Sequence, residues 1–159
     1  RWQRLLGLLG LPDLRLPPVG AVRELSQLRL LPGVDQRTLN LLEPWVAFLP
    51  TQATLNINTA PALVLRTLGD IDVEALVRQR ATLAWASAQA FTDDPLLAGI
   101  ALNGHGLGVQ SRWYRITVQA TQGKRTFRSG TDVELDPETL GFNVLARRIL
   151  PSTANEVSR

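Results

Sequence analysis

His105 is the only histidine in the chain, and it sits in the glycine-rich run Gly104-His105-Gly106-Leu107-Gly108. A catalytic histidine needs a positioned partner, and a zinc site needs further nitrogen or sulfur ligands. The chain has no cysteine and no second histidine, so His105 reads as a solvent-facing loop residue. The glycines invite comparison with a phosphate cradle, but a dinucleotide fingerprint requires a strand before it and a helix after it. Here a strand pattern follows and no Gly-Lys-Ser/Thr is present, so the run reads as a flexible crossing between domains, outside regular structure. Asp132, Glu134, Asp136 and Glu138 alternate and share a face wherever the strand continues, and Asp93-Asp94 forms a second acidic pair. Clustered oxygens suit hard cations, yet neither group has EF-hand spacing; a solvated strand face and a helix cap account for them. No carboxylate couple, nucleophile elbow or metal-ligand spacing is identifiable. The sequence therefore assigns no catalytic, cofactor-binding or metal-binding residue and gives an enzyme no support.

One pattern does carry a binding chemistry. Leu28-Arg29-Leu30-Leu31-Pro32-Gly33-Val34-Asp35 is echoed by Leu65-Arg66-Thr67-Leu68-Gly69-Asp70-Ile71-Asp72, each between two helical patterns. A Leu-Pro-Gly-Val link between helices resembles the helix-hairpin-helix module, whose hairpin amides hold a DNA phosphate with help from nearby cations. Arg29 and Arg37 flank the first copy. The second copy has Gly69-Asp70 in place of Pro-Gly, which sets negative charge where a phosphate would lie. The fold-building apolar positions are kept while the phosphate signature has decayed, which favours a scaffold.

The elements that position these residues change character along the chain. The 159 residues are 45% hydrophobic and 19% charged, a composition with enough apolar surface for a core. Net charge is +3 and the pI is near 10.5. The 17 basic residues, all arginine except Lys124, are scattered without a basic block. No run of about 18 apolar residues is present to span a membrane, and the absence of any methionine suggests a processed or excised fragment.

Trp2, Leu5, Leu6, Leu8 and Leu9 form a helical stripe, and residues 14–20 read as a linker containing Pro17-Pro18. Val22 to Leu31 has a helical face. Asp35 caps a helix over 38–48 that Pro44 kinks or splits. Leu55 and Ile57 alternate with Asn56 and Asn58 as an extended entry; Asn58 or Thr59 then serves as N-cap, with Pro61 in the first turn of the next helix. Val73 to Ala81 forms the partner helix. Residues 83–97 are ambiguous, with a helix start at Asp94-Pro95. After the glycine run the period becomes two. Ser111 to Ala120, Arg125 to Leu135 and Phe142 to Leu150 read as three strands, the first two joined by a hairpin at Thr121-Gln122-Gly123-Lys124. The expected class is α+β: a helical domain over 1–108 with two helix-turn-helix repeats, an antiparallel meander over 109–150, and a polar, frayed tail over 151–159.

Asn56-Ile57-Asn58-Thr59-Ala60, with its following helix and Leu-Arg-x-Leu hairpin, resembles the N-x-N-T-A signature of the K-type minor pseudopilins of bacterial type II secretion systems. Arg4 to Leu11 is similar to that family's leucine-rich helix, and Glu24 to Val34 to its S-E-L-R-x-L-P-G-V segment. Gly108 to Ile116 resembles its V-x-S-x-Y-F-x-V strand, and Val144 to Ile149 fits its last strand. The motifs run in the family order over about residues 1–150. A Trp-hydrophobic-Asp-x-Asp stretch usual after the leucine-rich helix is missing at Asp13-Leu14, and the family's apolar N-terminal helix is absent.

The resemblance implies a pilin-like sheet interrupted by a large helical, SAM-like or helix-hairpin-helix-like domain. It implies a structural protein, not an enzyme, that caps the tip of the periplasmic pseudopilus with the I- and J-type minor pseudopilins and supports protein secretion across the outer membrane. Secreted substrate and the outer-membrane secretin are further partners it admits, and nucleic acid is not among them. Location would be periplasmic, with inner-membrane anchoring through the missing helix before assembly. Some relatives bind calcium in acidic loops and carry a disulfide. The disulfide is impossible here, and calcium is the one cofactor the resemblance admits, against sparse acidic residues. The competing expectation is a DNA-binding, competence-receptor-like helix-hairpin-helix protein, which shares the Asn-x-Asn-Thr-Ala start.

Overall fold

The computed structural model describes residues 1–16, 22, 24–102, 106–123 and 125–150. It divides into two compact units, Arg1–Gln110 and Ser111–Arg159. The first is helical and the second is an antiparallel sheet, so the α+β class expected from the sequence holds.

The helical unit is built from short elements whose ends are set by identifiable side chains. α1 covers Trp2–Leu8, and a 3-10 turn covers Leu25–Leu30. α2 covers Gln36–Leu42, and Asp35 caps it by accepting from the Thr38 N–H at 2.7 Å. The helix expected to reach Phe48 ends at Leu42. Pro44 cannot donate the next ladder bond, and the chain leaves as a turn. α3 covers Ala62–Arg66, and Pro61 occupies its N-cap position without a side-chain bond. α4 covers Val73–Thr82, capped by Asp72 through the Ala75 N–H at 2.8 Å. α5 covers Ala88–Thr92, capped by Ser87. Asp94 then caps a 3-10 turn at Pro95–Leu97.

Two apolar cores form inside this unit. One gathers Leu6, Leu14, Leu28, Leu39 and Leu42; the other gathers Ile57, Leu65, Leu68, Val73, Leu76, Trp85, Phe91 and Leu97. The two helix-turn-helix copies thus seed different cores. Leu14, expected to open a linker, is buried in the first, and its carbonyl accepts the Trp2 indole N–H at 2.6 Å. Residues 17–20 of that linker, like 21 and 23 after it, lie outside the described residues.

The glycine run departs from expectation. Asn103, Gly104 and His105 lie outside the described residues, but Leu107–Gly108 forms a short strand, β2. It pairs in parallel with β1, Leu55–Asn56. The Leu55 and Ile57 N–H groups donate to the Gly106 and Gly108 carbonyls at 2.8 and 2.9 Å. Gly108 is needed for close approach, because a Cβ there would lie 2.5 Å from Thr54 Oγ1. Instead of crossing freely between domains, this part of the run closes the second core of the helical unit.

The sheet unit has the order β3-β4-β5, with β3 Trp113–Gln122, β4 Arg125–Leu135 and β5 Phe142–Leu150. The first hairpin turns at Gly123, whose φ of +59° suits glycine; Lys124 and the tail 151–159 lie outside the described residues. Asp132 opposes Ala146 while Val133 opposes Val144, so Leu145 is an extra residue in β5. The simple alternation expected for β5 is therefore inverted past Leu145, since one extra residue exchanges the faces. Val144 lies on the face of Val133, and Ala146 lies on the opposite one. Tyr114, Ile116, Val118, Phe127 and Ile149 share one face by register, and all are exposed.

Candidate functional site

The Asn56–Pro61 stretch is tied by side-chain bonds to two distant parts of the helical unit. Asn58 does not cap α3 as expected. Its Nδ2 donates to the Trp85 carbonyl at 2.9 Å, and its Oδ1 accepts the Trp85 N–H at 3.0 Å. One side-chain amide thus satisfies both peptide groups of a buried residue 27 positions away, as the complementary donor and acceptor of an amide allow. Asn56 supports this geometry by accepting the Asn58 N–H at 3.0 Å. Arg80, on α4, donates to the carbonyls of Ile57 and Ala60 at 3.0 and 2.7 Å. The extended entry is therefore fixed to α4 by one guanidinium and to the 83–87 turn by one amide.

Trp85 is the centre of this lock. Its ring meets Phe91 edge-to-face at 4.9 Å, a favoured aromatic geometry. Its indole N–H donates to Asp94 Oδ2 at 3.1 Å. Asp94 also accepts from Gln79 Nε2 and, through Oδ1, from the Leu96 N–H at 3.0 Å. Burial opposes the charge on Asp94, but the bonds from Leu96, Trp85 and Gln79 outweigh it and hold the carboxyl below its usual range. The sequence identified Asp94 as a cap and left Trp85, Gln79 and Arg80 unassigned. A lone tryptophan in an alanine-rich stretch was the only available signal.

Both hairpins resist a phosphate. The Asp35 and Asp72 carboxylates occupy the N-termini of α2 and α4. The Thr38 N–H, donating to Asp35, is the largest influence that keeps its pKa low, so the group stays negative at neutral pH. Gly69, in the second hairpin, packs against Ile100 so closely that a Cβ would lie 2.7 Å from its Cγ2. Of the two cations flanking the first hairpin, Arg29 donates to Gln36 and the charge of Arg37 favours the Asp35 carboxylate, while Arg66 of the second copy pairs with Glu74. Nothing in this geometry favours the DNA-binding alternative.

The acidic residues of the sheet unit separate into local roles. Asp132 joins all three strands: Arg115 binds it from β3 at 2.7 and 3.2 Å, and Arg148 binds it from β5. The Arg115 bond is the main reason its pKa falls. Glu134 pairs with Arg112 at 3.4 Å. β4 ends at Leu135, so Asp136 leaves the strand face and folds a turn, accepting the Glu138 N–H at 2.9 Å. Among the described residues no group of three or more acidic or histidine side chains is placed to hold a metal ion, and no helix is long and apolar enough to cross a membrane.

Residues 55–110 match the sequence model of the family described as "Type II secretion system (T2SS), protein K". That segment runs from β1 through the Asn58–Trp85–Asp94 lock to β2, so the match covers the second core. Type II secretion system protein K of Pectobacterium carotovorum is 33% identical over 115 residues, covering 65% of this chain and 35% of that protein. The Pseudomonas aeruginosa protein of the same name is 29% identical over 106 residues, covering 65% and 32%. The chain thus spans about a third of the length of these curated relatives. A solved structure described as the GspK-GspI-GspJ complex from the enterotoxigenic Escherichia coli Type 2 Secretion System shares its fold. The match has a TM-score of 0.69 and 23% identity, covering 94% of this chain and 55% of that one. In sequence the chain is thus similar to type II secretion system protein K, most specifically over residues 55–110.

Proposed function

We propose that this chain is part of a K-type minor pseudopilin that caps the pseudopilus tip together with I- and J-type partners. The observation that carries this is the coincidence of the protein K family match with the segment that the Asn58–Trp85–Asp94 network holds together. A network of mutually satisfied, largely part-buried bonds favours a rigid body. The work of such a protein is assembly: the helical unit supplies bulk at the tip and blocks further subunit addition. The exposed apolar face of the sheet, bearing Tyr114, Ile116, Val118, Phe127 and Ile149, suits burial against an N-terminal helix and neighbouring subunits. Periplasmic location with inner-membrane anchoring before assembly follows from the same reading, as does a structural role without catalysis or an obligatory cofactor.

The test is reconstitution with the I- and J-type minor pseudopilins of the same organism. Co-elution of the three chains in size-exclusion chromatography, and restored secretion on complementing a strain that lacks the K-type protein, are expected. Failure to bind the pair, together with duplex-DNA binding that weakens steeply with salt, would replace this proposal with the helix-hairpin-helix one.

A further inference from the structure

A cleft of about 490 Å³ opens within the helical unit, between α1, the 44–55 segment and the start of α3. Trp2, Trp45, Leu49 and Val64 line it with apolar surface, and Pro44 and Pro61 add rigid, flat surface. The volume falls in the range of ligand-binding clefts, which pair an apolar lining with a few polar groups that fix orientation. The lining also carries polar groups, among them the Thr54 hydroxyl. The Trp2 indole N–H is committed to Leu14, but among the described residues neither the Trp45 indole N–H nor the Arg1 guanidinium has a hydrogen-bond partner. Arg1 is the only ionisable side chain in the lining. Arg1 is exposed, its partial burial lowers its pKa, and a carboxylate beside it would favour the charged form.

We infer that this cleft docks an extended, proline-bearing segment of a partner protein that carries a carboxylate. Aromatic- and proline-lined grooves suit polyproline-type segments, because these are already extended and lose little conformational freedom on binding. The Trp45 N–H would donate to a carbonyl of such a segment, whose backbone acceptors are not used internally. Charge complementarity selects the carboxylate: the lining offers one unpaired cation and no acid. The inference stands apart from tip assembly, since it concerns the helical unit alone and requires neither the I-type nor the J-type partner.

The probe is acetyl-Leu-Pro-Leu-Pro-Asp with a free C-terminus, titrated into the whole chain. Binding is read by calorimetry and by the amide and indole shifts of a ¹⁵N-labelled sample. Saturable binding is expected, with shifts centred on Trp2, Trp45 and Val64. Arg1→Glu should weaken it about tenfold, the size of one lost charge-assisted bond. Replacing both peptide carboxylates, with lysine for Asp and a C-terminal amide, should weaken it similarly. The Arg1→Glu protein should then bind the lysine peptide better than the unaltered protein does. Arg1 has no partner to lose, so this variant keeps the fold, and unchanged thermal unfolding will verify that. Absence of saturation at millimolar peptide, shifts centred elsewhere, or indifference to the charge swap would overturn the inference. So would a self-association through the same residues that the peptide fails to displace, which would assign the cleft to a second copy. Loss of peptide binding in the full-length natural polypeptide would assign it to the protein's own chain and overturn the inference equally.

Discussion

Asn58→Ala provides the sharpest test of the lock. The substitution removes two hydrogen bonds to the Trp85 peptide, at 2.9 and 3.0 Å. It also strands the N–H and C=O of a residue that is only 7% exposed. A net hydrogen bond contributes about 1 kcal/mol, and a buried group left unsatisfied costs about 1–3 kcal/mol. Allowing for partial rescue by water, the expected loss is about 2–4 kcal/mol. For a unit of this size that lowers Tm by roughly 10–20 °C. Urea unfolding followed by tryptophan fluorescence measures the loss, and the near-ultraviolet circular dichroism of the Trp85–Phe91 pair reports the local change. Asn58→Asp keeps the acceptor but sets a carboxylate oxygen against the Trp85 carbonyl, so at neutral pH its cost should be at least that of Asn58→Ala. Thr59→Ala serves as the control, because Thr59 is exposed and caps nothing. Equal destabilisation by Thr59→Ala, or a loss below about 1 kcal/mol for Asn58→Ala, would refute the argument that this motif works by binding the Trp85 peptide.

Three further outcomes are expected. Gly69→Ala should cost about 1–3 kcal/mol in urea unfolding, because its Cβ would press at 2.7 Å on a branched methyl of Ile100, which packs against the second core. Asp94 has a folded-state pKa below its unfolded value, so its contribution is complete above the unfolded value, near about 4, and is lost as pH falls through the folded one. Unfolding free energy of the helical unit should therefore drop on acidification below about pH 4, and Asp94→Asn should flatten that slope. Asp132→Ala removes the pairs with Arg115 and Arg148 on the neighbouring strands. Because these groups are partly exposed, the cost should be about 1 kcal/mol or less, seen as faster amide exchange across β3 and β5 and diminished by salt.

Most of the local structure was legible in the residues. Asp35 and the Asp94-Pro95 start cap where the sequence placed them, because a cap is a contact between residues two or three apart. The bounds of β4 and β5 followed from period-two patterning and turn chemistry. The functional segment was legible only in part. Asn56 to Pro61 carries the family resemblance, yet the sequence offers Asn58 or Thr59 only as a helix cap, because the visible partners of a residue before a helix are its own neighbours. The acidic alternation suggested one continuous face, and the end of β4 at Leu135 broke it.

The sequence by itself determined the class of each segment: helices to about residue 100 and strands after 111. Those properties depend on composition, periodicity and short-range bonds. Tertiary structure alone decided that Gly108 bridges Asn56 in a parallel pair, that Leu145 is the extra residue inverting β5, and that Asn58, Arg80 and Asp94 converge around Trp85. Each joins positions from about 10 to 50 residues apart, and such pairings form only when apolar burial has closed the intervening loops. An amide or a guanidinium can bond any carbonyl, and packing selects which one it meets.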